Sequence, residues 1–236
     1  MATELSKTQV DRLGDRLRKG HITEADLRLL DQYRRSFSEA YEAVVSAIRK
    51  ELGLAPTGRP AKSTTSISDK LRRESIRLSQ IQDIAGCRLI VADIVAQESV
   101  VQSLTSLFEH TTVSDRRDKP SHGYRAVHVI VNSQSRLIEI QVRTELQHLW
   151  AELSEKYSDV IEPAIKYGGG DEVFQRVLTL ASTAVSELES LEAQLAGRPA
   201  DFPERLISLR QEMFNMFRDS IEVVENFKGE GDDISD

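Results

Sequence analysis

The strongest constraint on the fold is a pair of alternating segments joined by a short polar turn. In "RLIEIQVRT", from Arg136 to Thr144, Ile138, Ile140 and Val142 take every second position, as in a strand with one buried face. The segment from Arg125 to Val131 is equally rich in β-forming residues, and "NSQS" between the two is typical of a hairpin turn. The sequence therefore predicts an antiparallel hairpin.

The polar face of this hairpin is the less ordinary one. A symmetric turn at Gln134 and Ser135 would place His128 opposite Gln141 and Ile130 opposite Glu139. One surface would then carry the side chains of Tyr124, His128, Glu139, Gln141 and Arg143. The pattern alone leaves two interpretations open, a solvated outer face and a functional surface.

Helical periodicity surrounds the hairpin. It covers the chain up to about Leu54, with a helix start at Thr23, and the segments from Phe174 to Leu195 and from Leu206 to Phe227. Between them the patterns predict, in order, a helix from Ser66 to about Leu78, a strand from Cys87 to Val91, a helix from Gln97 to Phe108 and a short strand from Thr111 to Ser114.

These elements predict an α/β (α+β) fold, with a mixed, mostly antiparallel sheet flanked by helices and with helical N- and C-terminal extensions. We divide the chain into an N-terminal helical segment (1–58), a core (59–160) and a C-terminal helical segment with an acidic tail (161–236). We expect all three segments to form one compact domain.

Composition excludes several classes of function. Cys87 is the only cysteine and lies in an apolar run, and the five histidines lack metal-binding spacing, so redox and transition-metal chemistry are not expected. No apolar run approaches the roughly 18 residues of a membrane span, and the polar N-terminus lacks a secretion signal, so we expect a cytoplasmic protein without a membrane partner. The net charge is −7, yet the segment from Arg59 to Arg88 contains seven basic residues and only three acidic ones. This local excess of positive charge indicates an anion site.

Candidate groups for such a site lie in three segments. Asp83 and Glu139 could offer oxygen ligands to Mg²⁺, which usually binds one or two carboxylates and substrate phosphates; Asp83 could equally cap a turn. Lys62 is followed by hydroxyl residues near a helix start, and Lys70 lies one turn past Ser66, an arrangement suited to phosphate. Together with Arg88 in an apolar strand, these groups indicate a metal–nucleotide site for phosphoryl transfer.

Four ordered motifs, "KSTTSISDKL", "DIAGCRLIV", "DRRDKPSHGYRAVHVIV" and "IEIQVRTELQHLWAEL", resemble the synthetase domain of RelA/SpoT-like proteins, the alarmone synthetases, which have a nucleotidyltransferase-like fold. The resemblance covers about Arg59 to Asp159, and the helical flanks resemble those of the small members. It implies transfer of the β,γ-pyrophosphate of ATP to the ribose 3′-hydroxyl of GDP or GTP, giving (p)ppGpp and AMP.

The resemblance also implies roles for individual residues. Asp83 and Glu139 would be catalytic and hold Mg²⁺, with Glu139 also helping to deprotonate the attacking hydroxyl. The ATP-binding residues would be Arg59, Lys62, Ser66, Lys70 and Arg88, the last stacking on adenine. The acceptor-binding residues would be Tyr124, stacking on the acceptor base, with His128, Gln141 and Arg143.

The sequence departs from the family pattern in places. Arg59 precedes Lys62 by three residues rather than two, with Pro60 in the expected place, and His122 stands where an Asn is common. The acceptor therefore has alternatives, an adenine nucleotide or the 3′ end of tRNA, and a catalytically silent nucleotide-binding module is a third hypothesis. A tRNA acceptor is the least favoured substrate because acidic residues interleave with the N-terminal basic residues Arg12, Arg16, Arg18 and Lys19. Small members often form tetramers through terminal helices, and the run from Phe174 to Leu195 suits either such a homo-oligomer or packing within the chain.

Overall fold

The computed structural model describes residues 5–59, 61–195 and 204–232. Its N-terminal part consists of α1 (Lys7–Lys19), α2 (Glu24–Arg35) and α3 (Ser38–Leu52). The helix start predicted at Thr23 is confirmed, because the Thr23 side chain accepts a hydrogen bond from the backbone N–H of Asp26 and the Asp26 side chain accepts from that of Thr23. α1 also begins at a capping box, formed by Ser6 and Gln9, whereas α3 has no side-chain cap.

A mixed five-stranded sheet follows in the described residues, as the sequence predicts. Its strands are β1 (Thr57–Arg59), β2 (Ala85–Val91), β3 (Thr111–Asp115), β4 (Val127–Ser133) and β5 (Arg136–Thr144), in the spatial order β1-β2-β5-β4-β3. The short edge strand β1 was not predicted; it pairs antiparallel with β2, with Gly58 opposite Cys87. The predicted strands lie within one or two residues of the observed ones.

The predicted hairpin is confirmed at its turn. Gln134 and Ser135 have φ angles of 50° and 60°, the left-handed values of a two-residue type I′ turn. Ile138, Ile140 and Val142 are fully buried and alternate with half-buried Leu137, Glu139 and Gln141. The period-two pattern therefore reports the true faces of β5.

The helices between the strands differ from their predicted bounds. α4 spans Thr64–Arg73 and is followed by a 3₁₀ turn at Leu78–Gln80, so the predicted helix from Ser66 to Leu78 starts too late and runs too far. Ser63 is the N-cap, because its hydroxyl accepts from the backbone N–H of Ser66. The next helix, α5, is Ile94–Leu107.

The chain divides into two compact units. The first comprises Met1–Leu89, Ser103–Val113 and His128–Gln141. In it, α1 packs against α4 and against the 3₁₀ turn, with Gly14 so close to Leu78 that an added Cβ would lie 2.7 Å from the Leu78 Cβ. The buried side chains of Leu13, Leu17 and Leu71 belong to this core.

The second unit comprises Ile90–Gln102, Ser114–Val127 and Val142–Asp236. Its helices are α6 (Glu145–Val160), α7 (Glu172–Leu195) and α8 (Glu204–Asp232), which pack on one another. Their shared core includes Trp150, Leu178, Val185, Leu188 and Phe217.

The C-terminal segments are helical as predicted, but the apolar residues of α7 do not form a single buried stripe. Leu188 is buried as expected, whereas Val177 and Leu191 are exposed and the buried face includes Leu178, Ser182 and Val185. The helix has apolar residues on two faces, and the sequence does not show which one packs. The predicted break at "GRPADFP" lies outside the described residues. Within the part of the chain that the structure describes, no helix is both long and apolar enough to cross a bilayer.

Candidate functional site

The first unit holds a half-buried carboxylate, Asp83, between two lysines. Lys62 and Lys70 donate from their Nζ atoms to Oδ2 and Oδ1 of Asp83, at 2.7 and 2.9 Å. Burial alone would raise the pKa of Asp83, but the two ammonium groups lower it to about 2. Asp83 is therefore ionised at neutral pH and is the anchor on which two cations converge.

The start of α4 carries hydroxyl side chains that directly follow Lys62 in the sequence. Lys62 directly precedes the N-cap Ser63, and the Lys62 backbone N–H donates to the carbonyl of Ile84 at 2.6 Å. The Ser63 and Ser66 hydroxyl oxygens lie 2.8 Å apart. A helix start with free backbone N–H groups and nearby lysines favours phosphate.

A second carboxylate in this unit, Glu139, lies on β5. His128 Nδ1 lies 2.8 Å from Glu139 Oε1, and Gln141 Nε2 donates to Glu139 Oε2 at 2.8 Å. Burial raises the pKa of Glu139, yet the hydrogen bonds from His128 and Gln141 hold it below its ordinary value. The structure thus brings together Glu139, His128 and Gln141, three of the residues on the predicted polar face.

The two carboxylates influence each other. The charge of Asp83 acts to raise the pKa of Glu139, which means that the two carboxylates repel each other. A cation bound to both would stabilise their ionised forms. Their oxygens are the hard donors that Mg²⁺ prefers, and each oxygen that already accepts one hydrogen bond keeps a further lone pair. These two residues therefore fit Mg²⁺ in charge and in donor type. No group of three His, Cys, Asp or Glu side chains suited to a metal occurs among the described residues, so phosphates and water would complete its coordination.

The remaining residues that were predicted to bind ATP are Arg88, Arg59 and Ser66. Arg88 lies in β2, opposite Thr57 of β1, and is half-buried. The backbone of Arg59 pairs with Gly86, but its side chain lies outside the described part of the structure. Ser66 is in the first turn of α4, three residues after the N-cap.

Tyr124 and Arg143 belong to the second unit and contact each other. Arg143 Nη2 donates to the Tyr124 hydroxyl at 2.9 Å, and the Arg143 Cζ atom lies 4.9 Å from the centre of the Tyr124 ring. A cation over an aromatic face is attractive, and the hydrogen bond fixes the position of the hydroxyl end of the ring. Arg143 itself is buried.

Two contacts in the first unit were not predicted from the sequence. An added Cβ at Gly86 would lie 2.6 Å from the carbonyl oxygen of Glu139, so glycine lets β2 approach β5 at the catalytic candidate. Arg34 on α2 donates to the Thr64 hydroxyl at 2.6 Å and so reaches the first turn of α4. A glycine at the start of an apolar strand is a usable signal for the first contact, whereas nothing in the sequence indicates the second.

A family described as the region found in RelA/SpoT proteins matches residues 58–159. This range contains every residue that we assign to the site. The predicted resemblance to RelA/SpoT-like proteins is therefore confirmed over residues 58–159, which are less than half of the chain.

Individual known proteins are also similar to this chain. A small alarmone synthetase of Bacillus subtilis, crystallised with its product pppGpp, is 27% identical with a TM-score of 0.55, covering 75% of this chain and 98% of that one. A protein of Mycobacterium tuberculosis described as uncharacterized is 37% identical over 147 residues, 60% of this chain and 51% of the relative. An Aquifex aeolicus protein named guanosine-3′,5′-bis(diphosphate) 3′-pyrophosphohydrolase is 31% identical over 131 residues, 52% of this chain and 18% of the relative.

The chain spans about half the length of the curated mycobacterial relatives that it matches. The likeness to the Bacillus enzyme confirms the predicted fold class. It also relates the chain to the alarmone synthetases, pyrophosphokinase-type transferases that generally use Mg²⁺.

Proposed function

We propose that this chain transfers the β,γ-pyrophosphate of ATP to the 3′-hydroxyl of GDP or GTP, making (p)ppGpp. The observation that carries the proposal is the pair of ionised, half-buried carboxylates, Asp83 and Glu139, with two lysines bound to Asp83, all within the RelA/SpoT region. A catalytically silent module has no need to keep two like charges half-buried in one unit, because each costs free energy to desolvate.

The reaction requires a new bond from the 3′-oxygen to the β-phosphorus and cleavage of the bond from that phosphorus to the oxygen of the α-phosphate. The acceptor loses its hydroxyl proton and AMP leaves. Bound Mg²⁺ would neutralise charge on the phosphates. Asp83 and Glu139 would hold it, and the low pKa of each keeps both ionised for this purpose at neutral pH.

Lys62 and Lys70 would bind the ATP phosphates, together with the first turn of α4. In the structure, both ammonium groups contact Asp83, so nucleotide binding would exchange at least one of these ion pairs for a contact with phosphate. Glu139 would accept the hydroxyl proton, with His128 and Gln141 fixing its carboxylate. Arg88 is proposed to stack on adenine, and Arg59 to assist it.

The acceptor assignments rest on the resemblance of the segment from Asp115 to Val131, "DRRDKPSHGYRAVHVIV", to the family motif. Tyr124 is proposed to stack on the acceptor base, with Arg143 fixing the ring. His128 and Gln141 are proposed acceptor-binding residues as well. A tRNA acceptor gains no support from the N-terminal arginines, because Arg16 pairs with Asp26 and Arg18 donates to the backbone carbonyls of Leu71 and Ile76.

We also propose a homo-oligomer that uses α7. Val173, Val177 and Leu180 are more than half exposed and recur every three or four residues, so they form one apolar stripe on the described chain. The predicted tetramer would cover this stripe, and light scattering of the purified protein would give the number of copies.

The test of the function is product identification. Purified protein with Mg²⁺ and ATP labelled in the β- or γ-phosphate receives GDP, GTP, ATP or tRNA in separate reactions. We expect label on GDP and GTP with release of AMP. Label on tRNA alone, or on an adenine nucleotide alone, would replace the proposed acceptor, and nucleotide binding without any transfer would support the silent module.

A further inference from the structure

One buried side chain bonds to both neighbours of Tyr124. The Ser182 hydroxyl on α7 donates to the carbonyl of Gly123 at 2.6 Å and accepts from Nε of Arg125 at 3.0 Å. Ser182 is 2% exposed, its bond to Gly123 is buried and its bond from Arg125 is half-buried. A tyrosine whose two chain neighbours are tied to one atom has little freedom to shift along or away from the helix.

The turn before Tyr124 is also held by packing. His122 and Gly123 have positive φ angles of 52° and 86°, and the Tyr124 N–H donates to the Ser121 carbonyl at 2.9 Å, which makes a tight turn. An added Cβ at Gly123 would lie 2.6 Å from Cζ2 of Trp150. The turn therefore lies directly against the indole.

Trp150 belongs to the same support. Its Nε1 donates to the carbonyl of Leu178 on α7 at 2.7 Å, one helical turn before Ser182. The Arg125 guanidinium also donates a hydrogen bond to the carbonyl of Arg117. This bond joins the two ends of the segment from Arg117 to Arg125, which we call the Tyr124 loop. The loop is consequently fixed through α6 and α7 rather than by its own sequence alone.

The last support acts on the Tyr124 side chain. Arg143 contacts the hydroxyl and lies over the ring, so a partner base would stack where the guanidinium does not. The ring orientation and the backbone position of Tyr124 are thus determined by different residues.

We propose that Ser182 is a positioning residue for the acceptor nucleotide, acting by holding Tyr124 through Gly123 and Arg125. The proposal rests on the acceptor role of Tyr124 in the proposed function. Ser182 lies on α7, beyond residues 58–159 that the family covers, so this contribution comes from the C-terminal helices of the chain. It makes α7 a determinant of acceptor binding as well as of packing.

The principal variant is Ser182→Ala. Because one buried and one half-buried hydrogen bond are lost, the KM for the acceptor should rise about tenfold, while the KM for ATP changes less than about twofold. Arg125→Gln removes one of the same bonds from the loop side and should change the acceptor KM in the same direction. This second variant keeps the test valid if Ser182→Ala folds poorly.

Two control variants separate positioning from stability. Thr183→Ala alters the neighbouring, exposed position, whose hydroxyl donates only to Thr179 within α7, and should leave both KM values unchanged. Val185→Ala opens a space in the buried face of the same helix without removing a bond to the loop. It should lower the thermal midpoint without a selective change in the acceptor KM.

A measurement independent of activity uses Trp150, the only tryptophan of the chain. Its fluorescence should become more accessible to acrylamide in Ser182→Ala and Arg125→Gln, because the turn that covers the indole is released, and should not change in Thr183→Ala. Calorimetric titration with GDP and separately with ATP gives the same comparison for binding.

The outcomes are distinct. Equal losses for ATP and acceptor, or an acceptor-selective loss in Val185→Ala as large as in Ser182→Ala, would overturn the positioning role. If the wild-type protein transfers no label but binds GDP, the proposed reaction fails, while the effect of Ser182→Ala on GDP binding still decides the inference. If the wild type binds no GDP or GTP, or quenching of Trp150 is unchanged in both loop variants, the inference is overturned.

Discussion

The carboxylate cluster of the first unit and the Tyr124 loop of the second are held by different forces. Asp83 and Glu139 are fixed by charged or strongly polar partners, Lys62, Lys70 and His128, all within the RelA/SpoT region. The loop is held by one serine hydroxyl, an indole face and a tight turn, and its supports include α7, outside that region. The charged groups thus lie within the matched motifs, whereas the position of the Tyr124 loop depends also on contacts with α7.

The largest expected effect comes from removing a charge in the carboxylate cluster. Glu139→Gln keeps the shape and most hydrogen bonds but loses the anion, so turnover should fall about 1000-fold, equivalent to about 4 kcal/mol, while nucleotide binding persists. Rates come from labelled ATP and affinities from calorimetry. Glu51→Gln, at a half-exposed carboxylate of the same unit, is the control and should retain full activity. Wild-type turnover in Glu139→Gln would remove this residue from the mechanism.

The second effect concerns stability and separates the charged cluster from the loop. Asp83 titrates near pH 2 in the folded chain and near pH 4 when unfolded, so its contribution to the free energy of unfolding is complete above pH 4 and is lost as the pH falls towards 2. Asp83→Asn should therefore cost about 2 kcal/mol at pH 7, and its difference from wild type should shrink below pH 4. Urea unfolding at pH 7, 5 and 3 measures it.

Asp69→Asn, on α4 beside Lys70, supplies the control because its carboxylate is well exposed. It should differ from wild type by less than about 0.5 kcal/mol at each pH. A deficit in Asp83→Asn that is equally large at pH 3 and pH 7 would mean that packing or geometry, not the ion pairs with Lys62 and Lys70, stabilises this site.

The same division explains how much the sequence could predict. The hairpin followed from strict alternation, and the start of α2 from a capping box, because both are local. β1 was missed since three residues that include a glycine carry no strand period. The start of α4 was placed two residues late because four successive hydroxyl residues all suit a cap, and only the structure shows that Ser63 takes this position.

The site contacts were predictable only in part. The candidates of the first unit were recognised by type, but the bonds of Lys62 and Lys70 to Asp83 join residues 21 and 13 positions apart, and no local pattern reports such a contact. Ser182 is 57 residues from Arg125, and α7 has two apolar faces, so nothing in the sequence indicates which one meets the loop. Long-range packing is therefore the missing information in both regions.

The smallest expected effect tests the side-chain support of the loop. Tyr124→Phe removes the hydroxyl that accepts from Arg143 but keeps the ring, so stacking and most of the cation–π contact persist. Loss of one half-buried hydrogen bond should raise the acceptor KM about fivefold, equivalent to about 1 kcal/mol, and leave the ATP KM unchanged. Tyr167→Phe, at an exposed tyrosine of the second unit, is the matched control. A larger effect in Tyr124→Phe than in Ser182→Ala would mean that Arg143, rather than α7, is the main support of the acceptor loop.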